Sequence, residues 1–170
     1  MGIPNRSVFT LSSNQIKGLA AILMVVDHVG VVFFPQTQLL RYLGRLSFPL
    51  FCWLIAQGEQ RTRNVYRYGL RLLVFGLISQ PIYAALFETW QLNVLFTLLV
   101  GLVTLRVGRE LPQVKLLVWM LGVLVATAIS MDGGGYGVVI VLLMAHPLTL
   151  RWWAVWIVMH GLLAASEQIR

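Results

Sequence analysis

The chain has 170 residues, of which 58% are hydrophobic and only 11% charged, with a net charge of +7. Soluble domains carry about 25% charged residues, so this composition excludes an ordinary water-soluble fold and predicts an integral membrane protein. The basic excess does not point to nucleic acid, because Lys and Arg of membrane proteins gather in cytoplasmic loops for reasons of topology, as most of the 13 do here.

Residues 1–13 form a polar tail that does not read as a cleaved signal, and Ser12-Ser13-Asn14 offers a helix cap. From Ile16 to Phe34 the chain stays apolar, long enough for a bilayer span, which takes about 20 residues. Inside that run stand Lys17, Asp27 and His28. The step from Lys17 to His28 is about three helical turns, so the two share a face roughly 16 Å apart, and Gly18, Ala21 and Val25 near that line predict a groove. Titratable groups at membrane depth are costly and mark functional sites. Adjacent residues on a helix do not face each other, so Asp27 is expected to pair with an arginine of another span rather than to orient His28.

A second span is expected over 42–57, containing Gly44-Arg45 and a kink at Pro49. Arg45 reads equally as a snorkelling interfacial cation and as a pocket residue. Glu59 to Arg67 is the most basic loop. The third span, 68–87, begins with Arg71 and is interrupted by Ser79-Gln80-Pro81, a kink expected to face protein because proline frees a carbonyl that neighbours must satisfy. Spans over 92–107 and 114–130 follow, then Asp132 and a glycine-rich turn into Tyr136-Gly137. The apolar stretch 136–166, with Trp152, Trp153 and Trp156 near one end as in an interfacial belt, divides at Pro147 into two short helices.

The fold class is therefore an all-α polytopic membrane protein: one transmembrane helical domain over 14–170 behind the polar tail, a bundle of six or seven helices. Basic residues orient it. With the loop 58–67 in the cytoplasm, alternation also puts the N-terminus, Arg106, Arg109, Lys115 and Arg151 there, and leaves Asp27, His28, Arg41, Arg45, Glu88, Asn93, Asp132 and Tyr136 in the outer half. Arg61, Arg63, Arg67 and Arg71 read first as topology signals and lipid-headgroup ligands, and second as a phosphate cluster. The single cysteine, Cys52, excludes an internal disulfide. His146 and His160 stand apart from each other and from any Cys or carboxylate pattern, so no metal site is expected. No phosphate loop or nucleophile elbow is present.

The order of the motifs resembles the TraX family of conjugative-pilus proteins, associated with acetylation of the pilin amino terminus. The resemblance rests on Asp27-His28, Gly44-Arg45-Leu46-Ser47-Phe48-Pro49-Leu50-Phe51, Glu59-Gln60-Arg61-Thr62-Arg63-Asn64, Arg71-Leu72, Ser79-Gln80-Pro81, Leu92 to Leu98, and Asp132 with Tyr136-Gly137, over about residues 15–145. The turn after Asp132 departs from the pattern by carrying three glycines before its tyrosine. Lys17-x10-His28 also resembles the Arg/Lys-x10-His signature of transmembrane acyltransferases of acyltransferase family 3.

The resemblance implies a multi-pass acetyltransferase of the bacterial inner membrane, with acetyl-CoA as co-substrate, no metal, and an amine acceptor such as the N-terminus of a pilin subunit. Acetyl transfer needs a base and donors for a developing oxyanion. In that scheme His28 is the base, Arg45 stabilises the oxyanion or holds Asp27, and Asp27 orients a partner or the acceptor ammonium. Lys17, Arg63, Arg67 and Arg71 would take the CoA phosphates, and Asn93, Asp132 and Tyr136 would line the acceptor pocket. The expected partners are the lipid bilayer, acetyl-CoA and pilin, with no nucleic acid. Two rival readings use the same residues: a small transporter or channel with an Asp27-His28-Arg45 proton or ion relay, and a pilus-assembly scaffold.

Overall fold

Ser12 begins the first helix with a reciprocal cap: its hydroxyl accepts from the Gln15 amide (3.3 Å) and the Gln15 side chain accepts from the Ser12 amide (2.7 Å). A computed structural model describes residues 12–146, and all regular structure in that range is helical. The expected break at Pro147, the helix Arg151 to Ala165, and His160 lie outside the described residues. The chain divides between Leu54 and Ile55 into two compact units.

In the first unit, helix α1 (Ser13–Phe33) has 21 residues and so a length of about 31 Å, matching a hydrocarbon core of about 30 Å. It buries Ala20 and Gly30 and exposes Ile22, Val25 and Phe33, a pattern suited to acyl chains and not to water. Helix α2 (Gln38–Arg45) turns back along α1, placing Leu40 opposite Gly30 and Gly44 opposite Asp27. Helix α3 (Ser47–Arg61) follows after Leu46. The helical stretch breaks at Leu46, three residues before Pro49, which is the third residue of α3, in the first turn, where a backbone N–H has no helical acceptor to lose. The second span is not confined to 42–57, because the apolar stretch that includes this break runs from Leu39 to Arg61.

In the second unit, α3 carries Glu59, Gln60 and Arg61 inside its last turn, so the expected basic loop shrinks to residues 62–64. Helix α4 (Val65–Phe87) opens on Asn64, whose side chain accepts from the Arg67 amide at 2.9 Å. It is one continuous helix through Pro81, and the expected interruption does not occur. Proline itself is exposed, while the Ser79 hydroxyl donates to the Phe75 carbonyl (2.7 Å) and the Asn93 amide to the Gly76 carbonyl (2.9 Å), tying down the backbone just before it. Large apolar side chains on α4, among them Phe75, Ile78 and Ile82, face outward.

Helix α5 (Val94–Glu110) is the core of this unit and packs on α4, α6 (Lys115–Ala128) and α7 (Gly134–Met144). Leu98, Leu102 and Leu105 are buried along it, with Val138, Ile140 and Val141 of α7. A short 3-10 turn, Pro112–Val114, joins α5 to α6 across a bend of 116°. The turn into α7 uses Gly133 and Gly134 at φ 78° and 43°, a left-handed backbone that side chains rarely adopt. Gly135 is held by contact instead, for its Cβ would stand 2.9 Å from the Val123 side chain. The three glycines after Asp132 thus answer two separate demands.

Among the described residues three helical stretches are long and apolar enough to cross a membrane, Ser13–Phe33, Leu39–Arg61 and Val65–Phe87, and the bent pair α5–α6 makes a fourth if it acts as one broken span. Helices α5, α6 and α7 are apolar but have 17, 14 and 11 residues, about 25, 21 and 17 Å, short of a full hydrocarbon core.

Candidate functional site

Three polar clusters stand on this apolar frame, one in the first unit and two in the second. The first lies where α1 and α2 cross. A Cβ on Gly44 would come within 2.5 Å of the Asp27 Cα and 2.7 Å of its nitrogen, so only glycine permits the approach. This contact joins α1 at Asp27 to α2 at Gly44, and His28 and Arg45 are the next residues in the chain. Asp27 and His28 are half-buried and Arg45 is exposed. His28 Nδ1 lies 2.7 Å from the Met24 carbonyl oxygen, one turn back on the same helix. A carbonyl can only accept, so the proton sits on Nδ1 and a neutral ring carries its lone pair on Nε2, the arrangement a general base requires.

Lys17 rides on the same helix, but the predicted groove between it and His28 is an open helix face at its start. Lys17, Gly18, Ala21 and Val25 are all exposed, and nothing lies within 4 Å of the position a Gly18 Cβ would take.

The second cluster gathers at the N-terminal end of α5. Asn93 caps that helix through the Leu95 amide (3.0 Å), and its Nδ2 donates to the Gly76 carbonyl (2.9 Å), the Ser79 hydroxyl (3.2 Å) and the Gln80 side-chain Oε1 (2.9 Å). Asp132 reaches the same end: its amide donates to the Leu92 carbonyl (2.7 Å) and its own carbonyl accepts from Thr97 (2.5 Å). Of the three expected pocket residues, Asn93 and Asp132 are therefore brought together. Asn93 is 4% exposed and fully engaged, so it acts as an anchor between α4 and α5. Tyr136 lies half-buried in the first turn of α7.

The third cluster was not legible as a site. Glu59 is 1% exposed, a carboxylate buried at the end of α3. Arg109 Nη2 stands 2.5 Å from one of its oxygens and Arg106 Nη1 3.8 Å from the other, while Arg106 Nε donates to Glu110 at 2.6 Å. Neither Glu59 oxygen receives a well-aligned hydrogen bond, so the attraction is that of charge. The only sequence signals are a lone acid closing an apolar run and two arginines spaced i, i+3 on the face of another helix.

Helix α4 runs antiparallel to α5, with Gly69 opposite Leu99 and Leu102 and Gly76 opposite Leu95 and Phe96. The first turns of α4 therefore lie at the Arg106–Arg109 end of α5. Arg63, Arg67 and Arg71 are exposed there, and Lys115, which stacks 4.5 Å from the Trp119 ring, opens α6 beside Gly108. Cations from two loops distant in sequence thus collect at one end of the second unit.

A helical membrane protein with an Asp-His pair at a helix crossing and, in its second unit, cations gathered at one end is the class that fold and sites define. The chain belongs to the TraX protein family, whose model matches residues 12–169. It is 33% identical over 151 residues to the probable fimbrial assembly protein FimC, serogroup H1, of Dichelobacter nodosus, covering 79% of this chain and 62% of that protein. It is 30% identical over 125 residues to protein TraX of Escherichia coli, covering 69% of this chain and 50% of that one. The chain spans less than two thirds of the length of either relative. No solved structure matches it.

Proposed function

We propose that the protein is an acetyltransferase of the inner membrane, N-terminus in the cytoplasm, that moves an acetyl group from cytosolic acetyl-CoA to an amine, the N-terminus of a pilin subunit. Membership of the TraX family and likeness to a fimbrial assembly protein support a role at the pilus. The observation that supports the chemistry is the close approach of α1 and α2 at Asp27 and Gly44, the residues next to His28 and Arg45 in the chain.

With Nδ1 tied to Met24, His28 Nε2 takes the amine proton as the N–C bond forms and returns it to sulfur as the C–S bond breaks. Arg45 faces the oxyanion that develops on the acyl carbonyl, where fixed donors contribute most in a water-poor site. Asp27 holds Arg45 or the incoming ammonium. Lys17, Arg63, Arg67 and Arg71, all exposed, would take the CoA phosphates, and Asp132 with Tyr136 would serve the acceptor. The Lys17-x10-His28 spacing, which resembles that of acyltransferase family 3, agrees with this assignment.

The test is acetylation of a synthetic pilin N-terminal peptide by the purified, lipid-reconstituted protein, read by mass spectrometry. The wild type is expected to add the acetyl group and His28→Ala to lose it while keeping its helical circular dichroism. No acetylation by the wild type, together with pH-driven ion flux into vesicles, would replace this reading with the relay.

A further inference from the structure

A carboxylate taken wholly out of water is costly to keep, and a buried ion pair is seldom the more stable choice over apolar packing. Glu59 is kept nonetheless, its side chain 0% exposed under Arg106 and Arg109, whose side chains remain 41% and 47% exposed. A solvated arginine samples many rotamers; the charge of a buried partner restricts the head to the few that stay beside it. The pairing leaves donors over. Arg106 meets carboxylates with Nε and Nη1, and Arg109 meets Glu59 with Nη2, so Arg106 Nη2 and Arg109 Nε and Nη1 point elsewhere on half-exposed heads. Lys115 stands alongside across Gly108, and Arg63, Arg67 and Arg71 lie at the same end.

We infer that Arg106 and Arg109, set in place by Glu59, form a binding site for a phosphate group. Paired guanidinium forks match the oxygens of a phosphate in a way that a lysine does not. Glu59 is a positioning residue: it touches no phosphate and acts by fixing the two forks that do. The phosphate comes from the CoA moiety of the donor or from an anionic lipid headgroup, since both reach this end of the bundle with the same chemistry. In the first case the inference rests on the acetyltransferase reading, and it adds Arg106 and Arg109 to the ligands that the basic loop supplies.

The experiment uses the full chain in phosphatidylcholine nanodiscs, with calorimetric titration of inorganic pyrophosphate and of CoA, repeated in nanodiscs containing phosphatidylglycerol. Arg109→Gln is expected to weaken pyrophosphate binding about tenfold, the loss of one charge-assisted bond. Glu59→Gln is expected to weaken it less, by about threefold, because the forks stay but lose their orientation. Arg109→Lys, which retains the charge against Glu59 and so protects folding, should bind like Arg109→Gln. If CoA competes with pyrophosphate in neutral discs, the nucleotide is the ligand; if only phosphatidylglycerol abolishes the heat, the lipid is. Wild-type affinity for pyrophosphate in both Arg109→Lys and Arg106→Lys overturns the inference. Pyrophosphate binding that depends on Arg109, without acetyl transfer, leaves the site standing and removes the acetyltransferase. Acetyl transfer with an acetyl-CoA KM indifferent to Arg109→Lys, and no change in pyrophosphate affinity, does the reverse.

Discussion

Gly44 lies so near Asp27 that a Cβ on it would stand 2.5 Å from the aspartate Cα, closer than two such atoms can come. The obstacle is backbone, which cannot swing aside as the end of a flexible side chain can. Gly44→Ala is therefore expected to push α2 off α1 at a cost of about 1–3 kcal/mol, the usual range for overpacking. Thermal unfolding of the lipid-reconstituted protein should show the loss, and on the proposed reading acetyl transfer should fall with it because the α1–α2 crossing opens.

The Glu59 pair predicts an asymmetry. Arg109→Ala leaves a buried carboxylate with only the more distant Arg106, 3.8 Å away. Stripping one partner from a buried pair costs about 3–5 kcal/mol, and the half-exposed Arg109 head puts this case at the lower end. Glu59→Gln removes the buried charge itself and should cost less. Equal losses in the two variants, measured by denaturant unfolding, would mean that burial of Glu59 does not set the energetics.

Asn93 joins a cap to three donated bonds, so its replacements separate the two tasks. Asn93→Asp keeps an acceptor for the Leu95 amide but turns a carboxylate oxygen towards the Gly76 carbonyl and Gln80 Oε1. Asn93→Ala loses both tasks, at about 0.5–2 kcal/mol for the cap and about 1–3 kcal/mol for a buried group left unpaired. Both should lower the midpoint of thermal unfolding, and a neutral Asn93→Ala would remove the anchor role.

For catalysis, His28→Ala should reduce kcat for acetyl transfer by about 10²–10⁴, the span of a general base. His28→Gln retains a donor for Met24 but no basic nitrogen, so it should be equally slow while unfolding like the wild type. Turnover retained in His28→Gln would assign the base elsewhere.

The elements written in local chemistry were readable without coordinates. The apolar run from Ile16 to Phe34, the cap at Ser12 and the turn after Asp132 each follow from residues next to one another, and α1 and α7 begin where those signals stand. The two prolines behave differently: Pro49 follows the break at Leu46 and lies in a first turn, whereas the interruption expected at Pro81 does not occur, its neighbours being tied by Ser79 and by Asn93, 17 residues beyond the carbonyl it holds. Glu59 was hidden in a basic stretch because its meaning depends on Arg106 and Arg109, which reach it only once α5 has packed beside the end of α3.

The sequence by itself determined that this is an apolar, helical chain suited to a membrane, because hydropathy is a property of contiguous residues and the bilayer core has a set thickness, but not which helices are long enough to cross it. Only the tertiary structure decided which polar groups meet. Asp27 against Gly44 and Glu59 beneath Arg109 are contacts between separate helices, set by how closely small residues let backbones approach and by the cost of leaving a charge unpaired away from water.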